Sequence, residues 1–328
     1  MSTSPIVRHI GILTSGGDSP GMNAAIRATV RCAAVNGIRT TGILGGYNGL
    51  VGDHTRPLGP RDVSNTIQRG GTILRSARSE DFRTAEGRSK AAATMRKHGM
   101  DALVAIGGDG TFTGANVLFK EHGTRVIGIP GTIDNDLAGT DMTVGYDTAI
   151  NTAVEAIDRI RDTASSHDRL FFVEVMGRDT GFIALACAVA GGAEFVLVPE
   201  RLEHIEELVT ALGKASGTKS SSIVIVAEGE QEGGAFDVAR KVKQHMPAAD
   251  IRVSVIGHIQ RGGAPSVQDR LLASRLGVAA VDGLLAGTHD AMAGVINGQV
   301  QYTPFDKAIG KRKTLDADLF RVLSILAT

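Results

Sequence analysis

The chain has 328 residues, 35 Lys plus Arg against 35 Asp plus Glu, and a formal net charge of +0. That balance excludes bulk attraction to nucleic acid or an anionic membrane, so any phosphate chemistry has to draw on locally gathered cations. Aromatics are 4% with no Trp, while Gly numbers 42, a composition that suits short βα units better than aromatic-rich sandwiches.

Ile10–Leu13 predicts a first strand, followed by the turn Thr14–Gly21. A helix then runs from about Asn23 to Asn36, with Gly37 as its natural stop. Ala102–Ile106 and Val126–Ile129 repeat the strand pattern around a helix at Phe112–His122 that Gly123 ends. Asp147–Ala164 is the clearest helix, because Ile150, Val154, Ile157 and Ile160 fall at helical spacing. Leu170–Val175, Phe195–Val198, Ile223–Ala227 and Ile251–Ile256 read as further strands. Phe182–Ala190, Ile205–Leu212 and Phe236–His245 read as the helices between them. Strands separated by helices predict an α/β fold with parallel sheets covered on both faces.

Cys32 and Cys187 each lie in an apolar stretch and read as buried core thiols in a reducing compartment. Met1–Ile10 lacks a signal peptide's apolar core, and Phe182–Ala190 is too short to span a bilayer. The expected location is cytoplasmic.

In open α/β sheets ligands gather beyond the carboxyl ends of strands. Polar motifs recur at such places here, after Leu13, Ile106, Ile129, Val175, Ala227 and Ile256. Ser15-Gly16-Gly17-Asp18 serves either as a plain turn or as a cradle in which backbone amides meet phosphate oxygens. It matches neither the Walker A nor the Rossmann pattern. Gly107-Gly108-Asp109-Gly110-Thr111 points to nucleotide phosphate handling: the glycines permit close approach and the Asp can serve Mg²⁺. Kinases of NAD and of some lipids use a similar string. In Pro130-Gly131-Thr132-Ile133-Asp134-Asn135-Asp136 the two carboxylates suit a turn as well as they suit proton transfer.

GGDGT, PGTIDND, VEVMGR at Val173–Arg178, GHIQRGG at Gly257–Gly263 and the opening Leu13–Arg27 occur together in the order and spacing of the bacterial phosphofructokinases. The chain resembles that family from about Ile10 to Gly277 and more weakly beyond. The resemblance implies two doubly wound, mainly parallel-sheet domains with the active site in the cleft between them. The expected domains are 1–145 plus 259–308 for nucleotide and Mg²⁺, and 146–258 plus 309–328 for the sugar phosphate.

It also implies roles. Asp134 is the base toward the fructose 1-hydroxyl, Thr132 lies near the transferred phosphoryl group, and Asp136 organises the metal and phosphate region. Asp109 serves Mg²⁺, and Gly17, Arg78, Gly108, Asp109, Gly110 and Thr111 cradle ATP. Met176, Gly177 and Arg178 border the sugar phosphate, with Arg178 stabilising the moving charge. Arg169, Arg252, His258 and Arg261 grip the 6-phosphate, and Glu228 bonds the sugar; the arginine fork suits phosphate. Arg169 and Arg252 act from a neighbouring subunit in this family, which implies a homotetramer. Arg27, Arg31, Arg161 and Lys219 suit an anionic effector site. Pro60 and Gly217 stand where cations are expected, so the effectors should act weakly or not at all. Pyrophosphate-using relatives carry Asp at the place of Gly110 and Lys at that of Gly131; two glycines leave that space open and favour ATP. The rival readings are a pyrophosphate-dependent enzyme, an NAD or lipid kinase, and a silent regulatory subunit. The last would be expected to lack one of Asp109, Asp134 or Arg178, and all three are present.

Overall fold

The computed structural model describes residues 7–165, 169–201, 205–215 and 221–327. β1 (His9–Thr14), α1 (Met22–Val35), β2 (Arg39–Ile43), α2 (Gly46–Val51), β3 (Thr55–Leu58), α3 (Ala85–Lys97), β4 (Ala102–Gly107), α4 (Asp109–His122) and β5 (Arg125–Pro130) come first. α5 (Tyr146–Ser165), β6 (Leu170–Val175), α6 (Phe182–Ala190), β7 (Phe195–Leu197), α7 (Ile205–Ala215), β8 (Ser222–Ala227), α8 (Ala235–His245) and β9 (Ile251–Val255) follow. Next are α9 (Val267–Leu285), β10 (Ala291–Ile296), β11 (Gln299–Pro304), α10 (Phe305–Ala308) and α11 (Ala317–Leu326).

These elements form two compact units. Unit 1 comprises Met1–Ile133, Leu137–Thr148 and Arg261–Lys313; unit 2 comprises Asp134–Asp136, Ala149–Gln260 and Thr314–Thr328. The sequence placed the passages between them at 145/146, 258/259 and 308/309. Gly145 N and Thr148 N both donate to the Asp269 carboxylate at 2.8 Å, and Lys313 Nζ donates to Asp141 O at 2.6 Å. Those bonds keep 145–148 and the stretch up to Lys313 with unit 1.

Unit 1 holds a seven-stranded sheet in the order β11-β10-β5-β4-β1-β2-β3. Only the outer pairs β10–β11 and β2–β3 are antiparallel. Side chains alternate between the faces, as the strand period requires. Ile10, Ile12, Val104, Ile106, Ile127 and Ile129 enter one core with Ile26, Val30, Ala273 and Leu276 of α1 and α9. Leu13, Leu103, Ala105 and Val126 enter the other with Met95, Phe112 and Leu118. Full burial of each large apolar side chain contributes roughly 1.5–3 kcal/mol, so both helix layers are needed to hold the sheet.

Unit 2 holds a four-stranded, wholly parallel sheet in the order β7-β8-β6-β9. Phe172, Val224 and Val226 pack with Leu208 and Leu212 of α7 and with Val238 and Val242 of α8. α6 packs against β7, β8 and α11.

Three expectations change. α4 begins at Asp109 rather than at Phe112, with Gly108 as N-cap, so Asp109-Gly110-Thr111 is the first turn of a helix and not a loop before one. Cys187 is buried, its thiol pushed up to about 12 by desolvation, whereas Cys32 is only half-buried, with Sγ 3.9 Å from Asp282 Oδ1. α9 and the β10–β11 hairpin fall where the sequence assigned nothing.

Candidate active site

In unit 1, β1, β4 and β5 are parallel neighbours, with Thr14 opposite Ile106 and Gly107 opposite Pro130. The turns that follow them therefore share one edge of the sheet. Ser15 N donates to Ile106 O at 3.0 Å, and Thr111 Oγ1 donates to Ser15 O at 3.2 Å, which joins the first glycine turn to GGDGT. The Ser76 hydroxyl donates to Gly16 O from the outside of that turn. Tyr47, buried and stacked on Phe82 with ring centroids 4.0 Å apart, donates its hydroxyl to Thr111 O at 2.7 Å. Gly131 N donates to Gly107 O at 3.0 Å, and a Cβ built on Gly108 would stand 3.6 Å from Thr132 Cβ. Gly17, Gly108, Asp109, Gly110, Thr111 and Thr132 are thus gathered on three adjoining turns.

The start of α4 gives this edge its electrostatic character. The first amides of a helix lack intrahelical partners, and the helix dipole adds partial positive charge, so the first turn favours an anion. Asp109 is half-buried there, and its Oδ1 accepts Gly310 N at 2.8 Å. Arg78 lies exposed on the connection before α3, its carbonyl taken by Asn48 Nδ2 at 2.9 Å.

The two glycines of the donor argument differ. A Cβ at Gly110 meets nothing within 4 Å among the described residues. One at Gly131 would lie 2.9 Å from Ile106 Cγ2 and 3.2 Å from Met22 Cε. A side chain at Gly110 would start in open space among the described residues, whereas one at Gly131 would start against Ile106 and Met22.

Arg261 belongs to unit 1. Its Nη1 donates to Asp18 O at 3.1 Å, and the guanidinium covers Gly17, so within unit 1 it braces the first glycine turn.

In unit 2, β6, β8 and β9 are parallel neighbours, with Val175 opposite Ala227 and Glu174 opposite Val255. Met176-Gly177-Arg178, Glu228 and 257–260 leave the carboxyl ends of these strands. Arg178 N donates to Glu228 Oε2 at 3.2 Å, and both side chains are exposed, as is His258. Asp134 and Asn135 are buried and Asp136 half-buried, and Asn135 takes a left-handed φ of 54°. Thr180 Oγ1 donates both to Asp134 O at 3.4 Å and to Gly177 O at 3.0 Å. One hydroxyl thus ties the PGTIDND carboxylate turn to the MGR turn.

Arg169 and Arg252 are not brought to this edge. They sit at the amino ends of β6 and β9, where Arg169 Nε and Arg252 Nη2 reach the Asp250 carboxylate at 3.0 and 3.1 Å. Of the effector candidates, Arg27 is half-buried and Arg31 exposed on α1. The guanidinium of Arg161 is spent on Gly191 O and Gly192 O at 2.5 and 2.7 Å. Lys219 and Gly217 lie outside the described residues, and Pro60 is exposed after β3.

Gln260 was passed over in the sequence. It is fully buried, and its Oε1 accepts Met176 N at 2.8 Å. GHIQRGG signals the segment, but nothing in the string separates a residue that faces ligand from one that faces the protein.

The Phosphofructokinase family model matches residues 9–284. The chain is 54% identical over 324 residues to ATP-dependent 6-phosphofructokinase 1 of Thermus thermophilus, covering 98% of this chain and 100% of that one. It is 54% identical over 314 residues to the ATP-dependent 6-phosphofructokinase of Cytophaga hutchinsonii, covering 95% and 96%. The phosphofructokinase structure from Saccharomyces cerevisiae superposes with a TM-score of 0.89 at 34% identity over 98% of this chain, which spans 50% of that one. A pyrophosphate-dependent phosphofructokinase structure from Marinobacter aquaeolei gives 0.85 at 21% identity, covering 98% of this chain and 92% of that one, a likeness of fold alone. With the three-turn edge of unit 1 and the MGR–Glu228 edge of unit 2, these matches lead to one conclusion: the chain belongs to the phosphofructokinase family.

Proposed function

We propose that the protein transfers the γ-phosphoryl group of ATP to the 1-hydroxyl of fructose 6-phosphate, giving fructose 1,6-bisphosphate and ADP. The observation that carries this reading is the pair of sheet edges. One presents glycine turns and a helix N-terminus suited to a polyphosphate. The other presents Arg178, Glu228 and the turn to which Asp134 is bonded. Relatives that match 98% and 95% of the chain are named as ATP-dependent 6-phosphofructokinases.

Unit 1 would carry the donor and unit 2 the acceptor. Gly17 and Gly108–Thr111 hold the polyphosphate through backbone amides, Arg78 neutralises it, and the open space at Gly110 leaves room for the nucleotide side of the chain. Asp134 takes the proton from the 1-hydroxyl as the new O–P bond forms and the bond to ADP breaks. Arg178 and Thr132 stabilise charge on the transferring group, because a loose transition state places that charge on the phosphoryl oxygens. His258 and Arg261 address the 6-phosphate, Met176 and Gly177 border the sugar, and Glu228, with a second oxygen beyond the one on Arg178 N, hydrogen-bonds it.

Among the described residues no group of three His, Cys, Asp or Glu could cage a metal. Mg²⁺ does not require one, since it is held by one or two carboxylates with phosphate oxygens and water. Asp109 fits that mode, because Gly310 N occupies one oxygen at 2.8 Å and a carboxylate keeps further acceptor capacity. Asp109 would hold Mg²⁺ bound with ATP, which would supply neutralisation of phosphate charge, and Asp136 would help to organise that region. Arg169 and Arg252, remote from Arg178 along their strands, would act on the 6-phosphate of a neighbouring copy in a homotetramer. No helix among the described residues is long and apolar enough to cross a membrane, which fits the cytoplasmic location we propose.

The test is the fate of label. With γ-labelled ATP and fructose 6-phosphate, the label is expected on O1 of the sugar. Label recovered only as inorganic phosphate would overturn the assignment of the acceptor.

A further inference from the structure

Gln260 is the last residue of unit 2 before the chain passes to Arg261 of unit 1, and its side chain is fully buried. Its Oε1 accepts Met176 N at 2.8 Å, while its buried Nε2 has no partner among the described residues. The amide orientation is fixed by chemistry, because Met176 N–H needs an acceptor and the NH₂ end cannot be one. An apolar side chain of equal volume would fill the place without stranding a donor, so the contact with Met176 is what this amide supplies.

The turn it holds is under strain. Arg178 sits at φ 58°, in the left-handed region that a residue with a Cβ adopts only when its surroundings over-determine it. Three contacts do so. Gln260 fixes the turn at Met176 N, Glu228 Oε2 fixes it at Arg178 N, and Gly229 packs against Arg178 O so closely that a Cβ there would lie 2.1 Å away. Glu228 and Gly229 come from the end of β8. Gln260 comes from Gly257–Arg261, the segment that also carries His258.

We infer that Gln260 is a positioning residue for phosphoryl transfer: through Met176 N it sets the Met176–Arg178 turn, and hence the Arg178 guanidinium, in register with the His258 segment. The inference rests on the phosphofructokinase reading above. Gln260 itself touches no reacting atom.

Two variants test it. Gln260→Met keeps the volume and removes the acceptor; Gln260→Glu keeps an acceptor. In Gln260→Met, kcat should fall about 10- to 100-fold, as expected when a charge-stabilising group shifts by about an ångström. KM for fructose 6-phosphate should rise while KM for ATP stays within about twofold, with Gln260→Glu recovering most of the loss. Amide exchange at Met176, read without any substrate, should quicken by about tenfold or more in Gln260→Met and stay protected in Gln260→Glu. The inference is overturned if kcat and the sugar-phosphate KM of Gln260→Met stay within about twofold of the unaltered enzyme. It is equally overturned if both KM values and Tm move together and Gln260→Glu restores nothing, which marks a merely structural residue. Loss of Met176 protection in a chain whose unaltered form does not phosphorylate fructose 6-phosphate would instead overturn the functional reading beneath it.

Discussion

Replacing Asp134 by Ser lowers kcat by about two to four orders of magnitude, the usual range for removal of a general base. On the proposed mechanism KM for fructose 6-phosphate should stay within a few-fold, because Asp134 would act in the transition state while Met176, Arg178 and Glu228 would hold the sugar. The position argues for so clean a split. Asp134 is buried, on a turn fixed by the left-handed Asn135 and by Thr180 Oγ1 bonding the Asp134 carbonyl rather than its carboxylate. Serine removes the carboxylate and leaves both of these supports in place. Steady-state kinetics with both substrates, beside a far-UV spectrum to show retained folding, measure this. A kcat within tenfold of the unaltered enzyme would remove Asp134 from the mechanism.

The largest loss of stability is expected at Asp269. This residue is fully buried at the start of α9, and its carboxylate accepts Gly145 N and Thr148 N at 2.8 Å and Thr148 Oγ1 at 2.5 Å. Burial raises its pKa, and the three donations oppose that rise. Asp269→Ala leaves those donors stranded where water does not reach, and each buried unsatisfied group costs about 1–3 kcal/mol. A total of about 3–5 kcal/mol follows, as for other broken buried charged contacts. The released segment is Gly145–Thr148, through which the chain leaves unit 1 along α5. Thermal unfolding reads the effect as a fall in Tm of about 6 °C or more. A fall under about 2 °C would show that the segment is held by other means.

Much of the fold is legible where an apolar run meets a glycine turn. β1, β4, β5, β6 and β8 are such runs, each buried on both faces, and α5 runs from Tyr146 to Ser165 where the periodicity predicts Asp147–Ala164. The stretches left unassigned failed for different reasons. β3, Thr55–Leu58, is a short edge strand with Pro57 inside it. α3 turns Ala91, Ala92 and Met95 inward, a face too small to stand out. α9 buries Leu276 and Leu284 yet exposes Val267, Leu271, Val278 and Leu285, so its apolar residues fall on no single side. The β10–β11 hairpin carried a readable signal, Asn297-Gly298, whose φ values of 50° and 75° are those that a two-residue hairpin turn demands.

The candidate site divides similarly. The strings GGDGT, PGTIDND, VEVMGR and GHIQRGG locate the strand ends, because glycine turns and clustered polar residues leave a mark in sequence. What they cannot carry is direction. Gly110 faces space and Gly131 faces Ile106 and Met22, although both are single glycines in a motif. Arg261 braces Asp18 O, and Gln260 turns inward between two residues that read as ligand-facing. These differences arise from packing between segments far apart in the chain, which local spacing does not encode.

The most direct test supplies the purified protein with fructose 6-phosphate and Mg²⁺, and with either ATP or pyrophosphate, and measures fructose 1,6-bisphosphate. Product with ATP and none with pyrophosphate is the expected result. Product with pyrophosphate alone would contradict the donor assignment, and none with either would contradict the proposed reaction itself.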